Sequence, residues 1–582
     1  MVDVPRQRSA GWLALAGSLL LWLAQPPVGW WWMGWLAPLP WLALVSSPTL
    51  PSRRPGSWLG YRDIWLASSV FWLVYLQGVR KAHPALYLGW IALALYLAVY
   101  LPIFLALARF AVHRLRWPLF IAAPLVWIAL ELIRGRLLSG FTGGMLAHTQ
   151  SPFITMIQIV DTGGAYLLSG LIMATAACAW ESIRSIQASR TTAESLTPNP
   201  RRRAIAHGLA TLAIPGLMLS YGAWRLAQSP SNDSNNASNN ASPHLRIALI
   251  QESVDTIFEF NPQRNVDAFE RYLRRSVEAC GGEEPLAAVV WPESMFTENS
   301  PEFLFEQREG LPRELQARET AFRRKAQFAV AILREAHERR HGASSPPPVL
   351  IAGTVTVEFE GDSTHEYNSA LLFDQEGQVA DRYYKRHLVM FGEYIPLGKW
   401  FPVIYQLVGM PGDLREGEEE RAFVVQDWRL APSICFESLV PHHMGGKLRE
   451  LERQGEPADV QVNLTNDGWF WGSSLLDMHL QAGVFRAVEL RRPFVVAANT
   501  GISAWVDGDG RVRGRAPKQQ GATVVAELAR DRRWSLYQQV GDWPLWLLVI
   551  GAALVATRSH LASRDDQPRR VPVPHSVSAT NS

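Results

Sequence analysis

Residues 430–438 read LAPSICFES, a short apolar run that stops abruptly at Cys435, Glu437 and Ser438. Six more runs of this kind surround it: 244–252 HLRIALIQE, 287–294 AAVVWPES, 348–359 PVLIAGTVTVEF, 369–374 SALLFD, 458–467 ADVQVNLTND and 493–501 PFVVAANTG. Each is strand-length, and helical patterns at 262–279, 313–341 and 473–490 lie between several of them. Strands alternating with helices predict an α/β domain over 244–532. In such domains, polar residues just past strand ends are where sites are built.

Outside this domain the composition changes. The chain has 582 residues, 48% hydrophobic and only 19% charged, with 24 tryptophans. Soluble domains carry about 25% charged residues. Mean hydropathy is near zero, −0.01, because two opposite halves cancel. These figures exclude a disordered chain, and three cysteines far apart (Cys178, Cys280, Cys435) exclude a small disulfide scaffold. A net charge of +3 gives no argument for nucleic acid.

Apolar stretches near 11–25, 29–47, 62–79, 86–108, 117–134, 157–182 and 204–224 fit the ~20 residues a bilayer span requires. One more lies near 538–557, within LYQQVGDWPLWLLVIGAALVA. The first is not read as a cleaved secretory signal, since a second span follows at once without a clear cleavage site. The predicted organisation is a membrane domain of seven helices over 1–227, a flexible linker at 228–243, the catalytic α/β domain, an eighth helix at 533–557 and a disordered tail at 558–582. Orientation follows from Lys/Arg bias. With the N-terminus in the cytoplasm, the inner segments hold Arg6, Arg8, Arg53, Arg54, Arg109, Arg114, Arg116, Arg184, Arg190, Arg201 to Arg203, Arg558, Arg564, Arg569 and Arg570, while the outer short loops hold only Arg80, Lys81, Arg134 and Arg136. Both termini are therefore expected inside and the α/β domain outside. Trp30, Trp31, Trp32 and Trp35 read as an interfacial aromatic belt. Asn232, Asn236 and Asn240 match the glycosylation pattern by composition alone.

Three strand-end residues make a chemical set. Glu293 follows AVVWP, Lys385 lies in 381–394 DRYYKRHLVMFGEY, and Cys435 ends APSIC. A thiol is only a few per cent ionised near pH 7 and needs a base within reach. A glutamate can take that proton and return it to a leaving group. A lysine can stabilise the oxyanion formed when sulfur attacks a carbonyl. Spacing alone does not show that the three converge. HERRH at 337–341 matches a zinc-protease pattern, but it ends an Arg/Glu-rich helix without a third ligand and reads as solvated surface. No metal is expected there or at His442 and His443. Cys178 and Cys280 read as structural, and Asn463, Asn466 and Asp467 as turn-holding residues.

The ordered motifs WPES, YYKRHLVMFGEY, CFES and NLTNDGWF resemble the nitrilase superfamily. With ELIRGRLLSGF, QIVDTGGAYLLSGLI and the flanking spans, residues from about 10 to 557 resemble its membrane-bound branch, the apolipoprotein N-acyltransferase family. The resemblance implies an α/β nitrilase-like αββα sandwich inserted between transmembrane helices, in an all-α bundle of seven helices plus one. It implies Glu293 as general base, Lys385 as oxyanion-stabilising lysine and Cys435 as nucleophile. Glu393, Glu437 and Asn368 are implied as supporting residues, and the stretch from Tyr384 to about 412 as an arm beside the substrate entrance. Phe260 stands where a substrate-lining tryptophan is expected, and Phe436 where a tyrosine is common. WFWG and GFTGG also depart from the family pattern. The implied activity is acyl transfer from a phospholipid, through a cysteine thioester, to a diacylglyceryl apolipoprotein. It takes place in the bacterial inner membrane on the periplasmic side, without cofactor, in a monomer. The alternatives are a membrane-tethered amide hydrolase using the same triad, and a transporter or scaffold whose outer domain only binds.

Overall fold

The N-terminal half is helical: its long apolar runs suit a helix, in which every backbone group is satisfied internally. The structure, a computed structural model, describes residues 10–50, 59–81, 86–191, 200–230, 244–254, 262–296, 301–306, 311–361, 363–390, 392–395, 400, 403 and 413–565. Helices α1 (Ala10–Ala24), α2 (Met33–Ser46), α3 (Leu59–Tyr75), α4 (Leu86–His113), α5 (Leu119–Arg134), α6 (Val160–Thr191) and α7 (Pro200–Ala227) follow in order. Among the described residues, three helices are long and apolar enough to cross a membrane: Leu86–His113, Val160–Arg190 and Pro200–Ala227. On α7, Leu212 and Leu217 are more than two-thirds exposed, an apolar face costly in water and at ease in lipid. α6 breaks at Gly163–Gly164, where Gly164 has φ +69°. A Cβ there would lie 2.7 Å from the Tyr537 ring, so both conformation and space call for glycine.

The second half is a layered α/β domain. Its strands are β1 (Leu245–Gln251), β2 (Ala288–Trp291), β3 (Glu302–Phe305), β4 (Val349–Glu360), β5 (Ser363–Phe373), β6 (Val379–Tyr384), β7 (Phe423–Val425), β8 (Trp428–Ile434), β9 (Val460–Asn466), β10 (Phe494–Asn499), β11 (Ala504–Val506), β12 (Val512–Arg515) and β13 (Ala522–Leu528). One sheet has the order β13-β1-β2-β4-β5-β6, with β3 beside β4; the other runs β12-β11-β10-β9-β8-β7. Both are mixed: β1-β2-β4 and β8-β9-β10 pair in parallel, with antiparallel strands at the flanks. Ile247, Leu249, Val290, Leu430, Val462 and Val495 pack between the sheets. The alternate residues Ala248, Ile250 and Val289 pack under helices α8 (Pro262–Cys280) and α9 (Arg313–His341). Burial on both faces is why these strands read as continuous apolar runs. Helices α10 (Pro441–Arg453) and α11 (Leu475–Leu490) cover the second sheet, completing an αββα sandwich.

All residues of α11 but Asp477 are buried because α6 packs on its other side. The Ala165 N–H donates to Glu489 Oε1 (2.8 Å), and Asp161 accepts from Arg491 Nη2 (2.6 Å), Arg225 Nε (2.7 Å) and Tyr221 (2.6 Å). These paired charges tie the halves together where an unpaired one would be costly. The last helix, α12, spans Trp543–Asp565, displaced C-terminally from the expected 533–557; Leu536–Val540 forms a separate short helix. His337 corrects the reading of HERRH as solvated surface. It is fully buried, with Nε2 3.1 Å from Ser345 Oγ, because that face of α9 packs toward the first sheet. Phe260, linker residues 231–243 with their three asparagine motifs, Arg6, Arg8, Arg53, Arg54 and everything beyond 565 lie outside the described residues.

Candidate active site

Five chain segments converge at one edge of the sandwich. Glu293 follows β2, Lys385 follows β6, Cys435 follows β8 and Asn466 ends β9, while Asn368 lies within β5. Cys435 has φ +52°, a left-handed conformation rare outside glycine, on a sharp strand-to-helix turn leading into the short helix Cys435–Leu439. The next strand leaves no room behind the glutamate. A Cβ on Gly353 would lie 2.4 Å from the Glu293 Cα.

A connected polar network results. Asn368 Nδ2 donates to Glu293 Oε1 (2.7 Å) and to Glu393 Oε1 (3.0 Å). Lys385 Nζ donates to Glu393 Oε1 at 2.7 Å and lies 3.9 Å from Glu293 Oε1. The Asn466 N–H donates to Glu293 Oε2 (2.9 Å), and the Val389 N–H to Glu393 Oε2 (2.9 Å). Burial raises the Glu293 carboxyl above its ordinary value, against the pull of Lys385. Burial, followed by the Glu293 charge, pushes the Cys435 thiol up as well. Burial works against the Lys385 ammonium, yet Glu393, Cys435 and Glu293 together hold its pKa above the usual lysine value. The electrostatics therefore suit a resting thiol beside a strengthened base, with a permanent cation next to both.

Glu437 binds two of these segments together. Its Oε2 accepts from the Ile434 N–H (2.7 Å), and its Oε1 from the Arg386 N–H (2.9 Å) and His387 N–H (3.1 Å). Tyr383 donates to both oxygens (2.8 and 2.9 Å), and His443 Nε2 lies 3.1 Å from Oε1. Burial would raise this carboxyl, but Lys447, His443 and the Ile434 N–H overcome it and hold it far below the carboxylate range. Lys447 itself is buried, 3.7 Å above the Tyr383 ring and 3.1 Å from Glu420. Phe436 stacks on His387 with ring centroids 6.2 Å apart, packed against the helical half.

The site faces the segment joining α5 to α6. His387 Nε2 lies 2.6 Å from the Ser139 carbonyl, Ser139 Oγ lies 2.9 Å from the Tyr394 hydroxyl, and Thr142 donates to the Leu439 carbonyl. Of the arm, residues 391, 396–399, 401–402 and 404–412 lie outside the described residues; Trp400 is strongly exposed. Sequence reasoning missed Tyr383, Lys447 and His479, whose partners are distant in the chain. It also read Asn463, Asn466 and Asp467 too narrowly. The Asn466 side chain does accept from the Gly468 N–H, but Asn463 Nδ2 reaches the Cys435 carbonyl (3.3 Å) and Asp467 faces His479. Among the described residues no group of three or more His, Cys, Asp and Glu could hold a metal ion.

A mixed two-sheet sandwich with an acid, a lysine and a cysteine at its strand ends is the carbon-nitrogen hydrolase class, and the family model of that description matches residues 246–537. A second model, the apolipoprotein N-acyltransferase N-terminal domain, matches residues 17–178. The apolipoprotein N-acyltransferase of Rhodopirellula baltica is 31% identical over 573 residues, covering 93% of this chain and 96% of its own length. That of Geobacter metallireducens is 30% identical, covering 88% and 92%. The chain belongs to the apolipoprotein N-acyltransferase family. Among solved structures, Saccharomyces cerevisiae Nit3, of the nitrilase superfamily, aligns with 52% of this chain and 97% of its own at 17% identity, with a TM-score of 0.34.

Proposed function

We propose that the chain transfers an acyl group from a phospholipid to the α-amine of a diacylglyceryl-cysteine apolipoprotein, by a two-stage reaction through Cys435. In the first stage Glu293 takes the thiol proton as sulfur attacks the ester carbonyl, and Lys385 stabilises the oxyanion. The ester C–O bond then breaks, Glu293 returns the proton to the departing lysophospholipid, and a thioester remains. In the second stage the amine attacks the thioester. The C–N bond forms as the C–S bond breaks, and Glu293 carries the amine proton to the released thiolate. Glu393 and Asn368 hold the base and the lysine in place, Glu437 sets their position relative to the nucleophile, and Phe436 is a further candidate for lining the substrate. Phe260 is proposed to line the acyl chain's path.

The domain division is proposed as read from the sequence, 1–227 in the membrane, 228–243 a linker and 244–532 catalytic, with the eighth span moved from 533–557 to the helix that begins at Trp543 and the tail following it. With seven spans before it and one after, the catalytic domain is proposed to face the periplasm, and the chain to act in the inner membrane as a monomer. Donor and acceptor both reside in lipid, so delivery through a helical bundle avoids exposing chains to water at ~0.8 kcal/mol per CH₂.

The observation that carries this reading is the convergence of Glu293, Lys385 and Cys435 at the face touching the helical half. The test is intact-protein mass spectrometry of the detergent-purified chain after incubation with phospholipid. A hydroxylamine-labile acyl mass, absent in Cys435→Ser and consumed by a diacylglyceryl peptide, is the expected result. An adduct lost to water and indifferent to the peptide would indicate a hydrolase instead. No adduct at all would overturn the catalytic assignment.

A further inference from the structure

Three buried side chains behind the nucleophile form a hydrogen-bonded row that the two-stage reaction does not use. Asp467, just past β9, faces His479 of α11, whose Nδ1 lies 3.1 Å from Oδ1 and 3.4 Å from Oδ2. On the other edge of the ring, Nε2 lies 2.8 Å from Ser438 Oγ. Ser438 Oγ in turn lies 3.3 Å from the carbonyl oxygen of Cys435. Ser438 is 0% exposed, Asp467 3% and His479 9%. The order is that of a serine hydrolase, but the hydroxyl is sealed from any substrate and aims at a backbone carbonyl, so Ser438 is no second nucleophile.

Counting hydrogens settles the ring. A hydroxyl has one hydrogen, and a carbonyl only accepts, so Ser438 donates to Cys435 and takes its own bond from Nε2–H. The Asp467 carboxylate, which also accepts from Thr465 (2.9 Å), takes Nδ1–H. Both ring nitrogens donate, which makes His479 an imidazolium. Burial opposes that charge, and Asp467 outweighs it, leaving the ring's pKa above its ordinary value.

The Cys435 carbonyl belongs to a residue held at φ +52°, a left-handed conformation that persists only where its surroundings fix it. Its side-chain partners include Ser438 Oγ and Asn463 Nδ2, each at 3.3 Å, and the His479 ring also bonds toward it. We infer that Asp467, His479 and Ser438 are positioning residues: the imidazolium orients the serine hydroxyl, which pins the Cys435 carbonyl and keeps the sulfur at its angle of attack. This inference rests on Cys435 being the nucleophile.

The test follows acyl-enzyme formation by intact mass in full-length wild type, Ser438→Ala, His479→Gln and the double variant. Each single variant is expected to slow acylation about 10- to 100-fold, as a misplacement of about 1 Å does. The phospholipid concentration for half-maximal rate stays unchanged, and the double variant is no slower than the slower single one, since the row is broken once. The pH profile of Cys435 alkylation by iodoacetamide, read by peptide mapping, also shifts in both variants. Asp467, Glu293 and Cys435 are the titratable groups facing the ring, with Lys385 and Glu393 beyond. All five are present in every variant, but His479→Gln also removes the ring's own charge, so the shift in Ser438→Ala, which keeps that charge, is the one that reports the row. Wild-type acylation rates in the variants, or losses that multiply in the double variant, would overturn the inference. So would a fall in melting temperature with an unmoved alkylation profile. If His479→Gln fails to fold, Ser438→Ala, lacking a single oxygen, carries the test alone. An adduct in wild type with unaffected variants sinks only this inference; no wild-type adduct sinks the nucleophile as well.

Discussion

Replacing Glu437 by glutamine alters a fully buried group by a single atom, yet the geometry makes it severe. In the carboxylate, one oxygen accepts from the Ile434 N–H at 2.7 Å and the other from the Arg386 and His387 N–H groups at 2.9 and 3.1 Å. An amide has a single acceptor oxygen, so in either orientation its NH₂ faces a buried backbone N–H. That orphaned donor costs about 1–3 kcal/mol, and each remaining bond loses about 1 kcal/mol in passing from charged to neutral acceptor. Together this is roughly 3–5 kcal/mol. At about 2–4 °C per kcal/mol for a domain of this order, the melting temperature falls by roughly 6–20 °C. The same oxygens couple the peptides beside Lys385 to the end of β8 before Cys435. A slip of about 1 Å between them lowers the acylation rate about 100-fold. Because the Glu437 pKa is depressed, its contribution is complete above the ordinary unfolded value of about 4.3 and is lost only as pH falls through the folded one. The difference between wild type and Glu437→Gln is therefore flat across about pH 6–8. Tryptophan-monitored unfolding in detergent and thioester formation by mass spectrometry supply both measurements. A variant melting within about 1 °C of wild type and acylating normally would refute the clamp.

Lys385→Arg, at a fully buried position with Nζ 2.7 Å from Glu393, leaves no room for a guanidinium and is expected to abolish thioester formation while phospholipid still binds in an equilibrium assay. Gly353→Ala drives a Cβ to within 2.4 Å of the Glu293 Cα and 2.6 Å of the Pro292 carbonyl, and shows as lost expression or a melting temperature lowered by several degrees. The acid limb of the acylation rate lies above the ordinary glutamate value of about 4.3, because burial raises Glu293 and the base is lost as pH falls through that raised value. Asn368→Leu removes a bond that favours the charged form and moves this limb to higher pH, read from rate–pH profiles. Asp161→Asn strips the shared partner of Arg225 and Arg491, leaving two buried cations short of a carboxylate, and destabilises the joint by about 3–5 kcal/mol, measured by unfolding midpoint.

Much of the candidate site was legible because its residues stand at strand ends, where an apolar run gives way to a reactive side chain. Glu293, Lys385 and Cys435 were each visible in this way, as were the supporting Asn368, Glu393 and Glu437 once the resemblance placed their motifs. Tyr383 and Lys447 were not, since an aromatic at the end of a strand and a lysine in an amphipathic helix look like ordinary packing and surface. His337 misled for the opposite reason: a charged helix reads as solvated on every side, and only the packed sheet reveals which side is covered.

Local chemistry, then, determined the elements. Strand-length apolar runs, long apolar helices and the residues that interrupt them follow from nearest-neighbour sterics and water exclusion, which a linear sequence records directly. The tertiary structure alone decided which carboxylate shares a donor with which, that Glu437 joins the Lys385 and Cys435 segments, and that α11 lies buried between a sheet and α6. Those outcomes depend on hydrogen bonds formed across tens to hundreds of residues. Their strength comes from burial, and burial belongs to the packed assembly rather than to any stretch of chain.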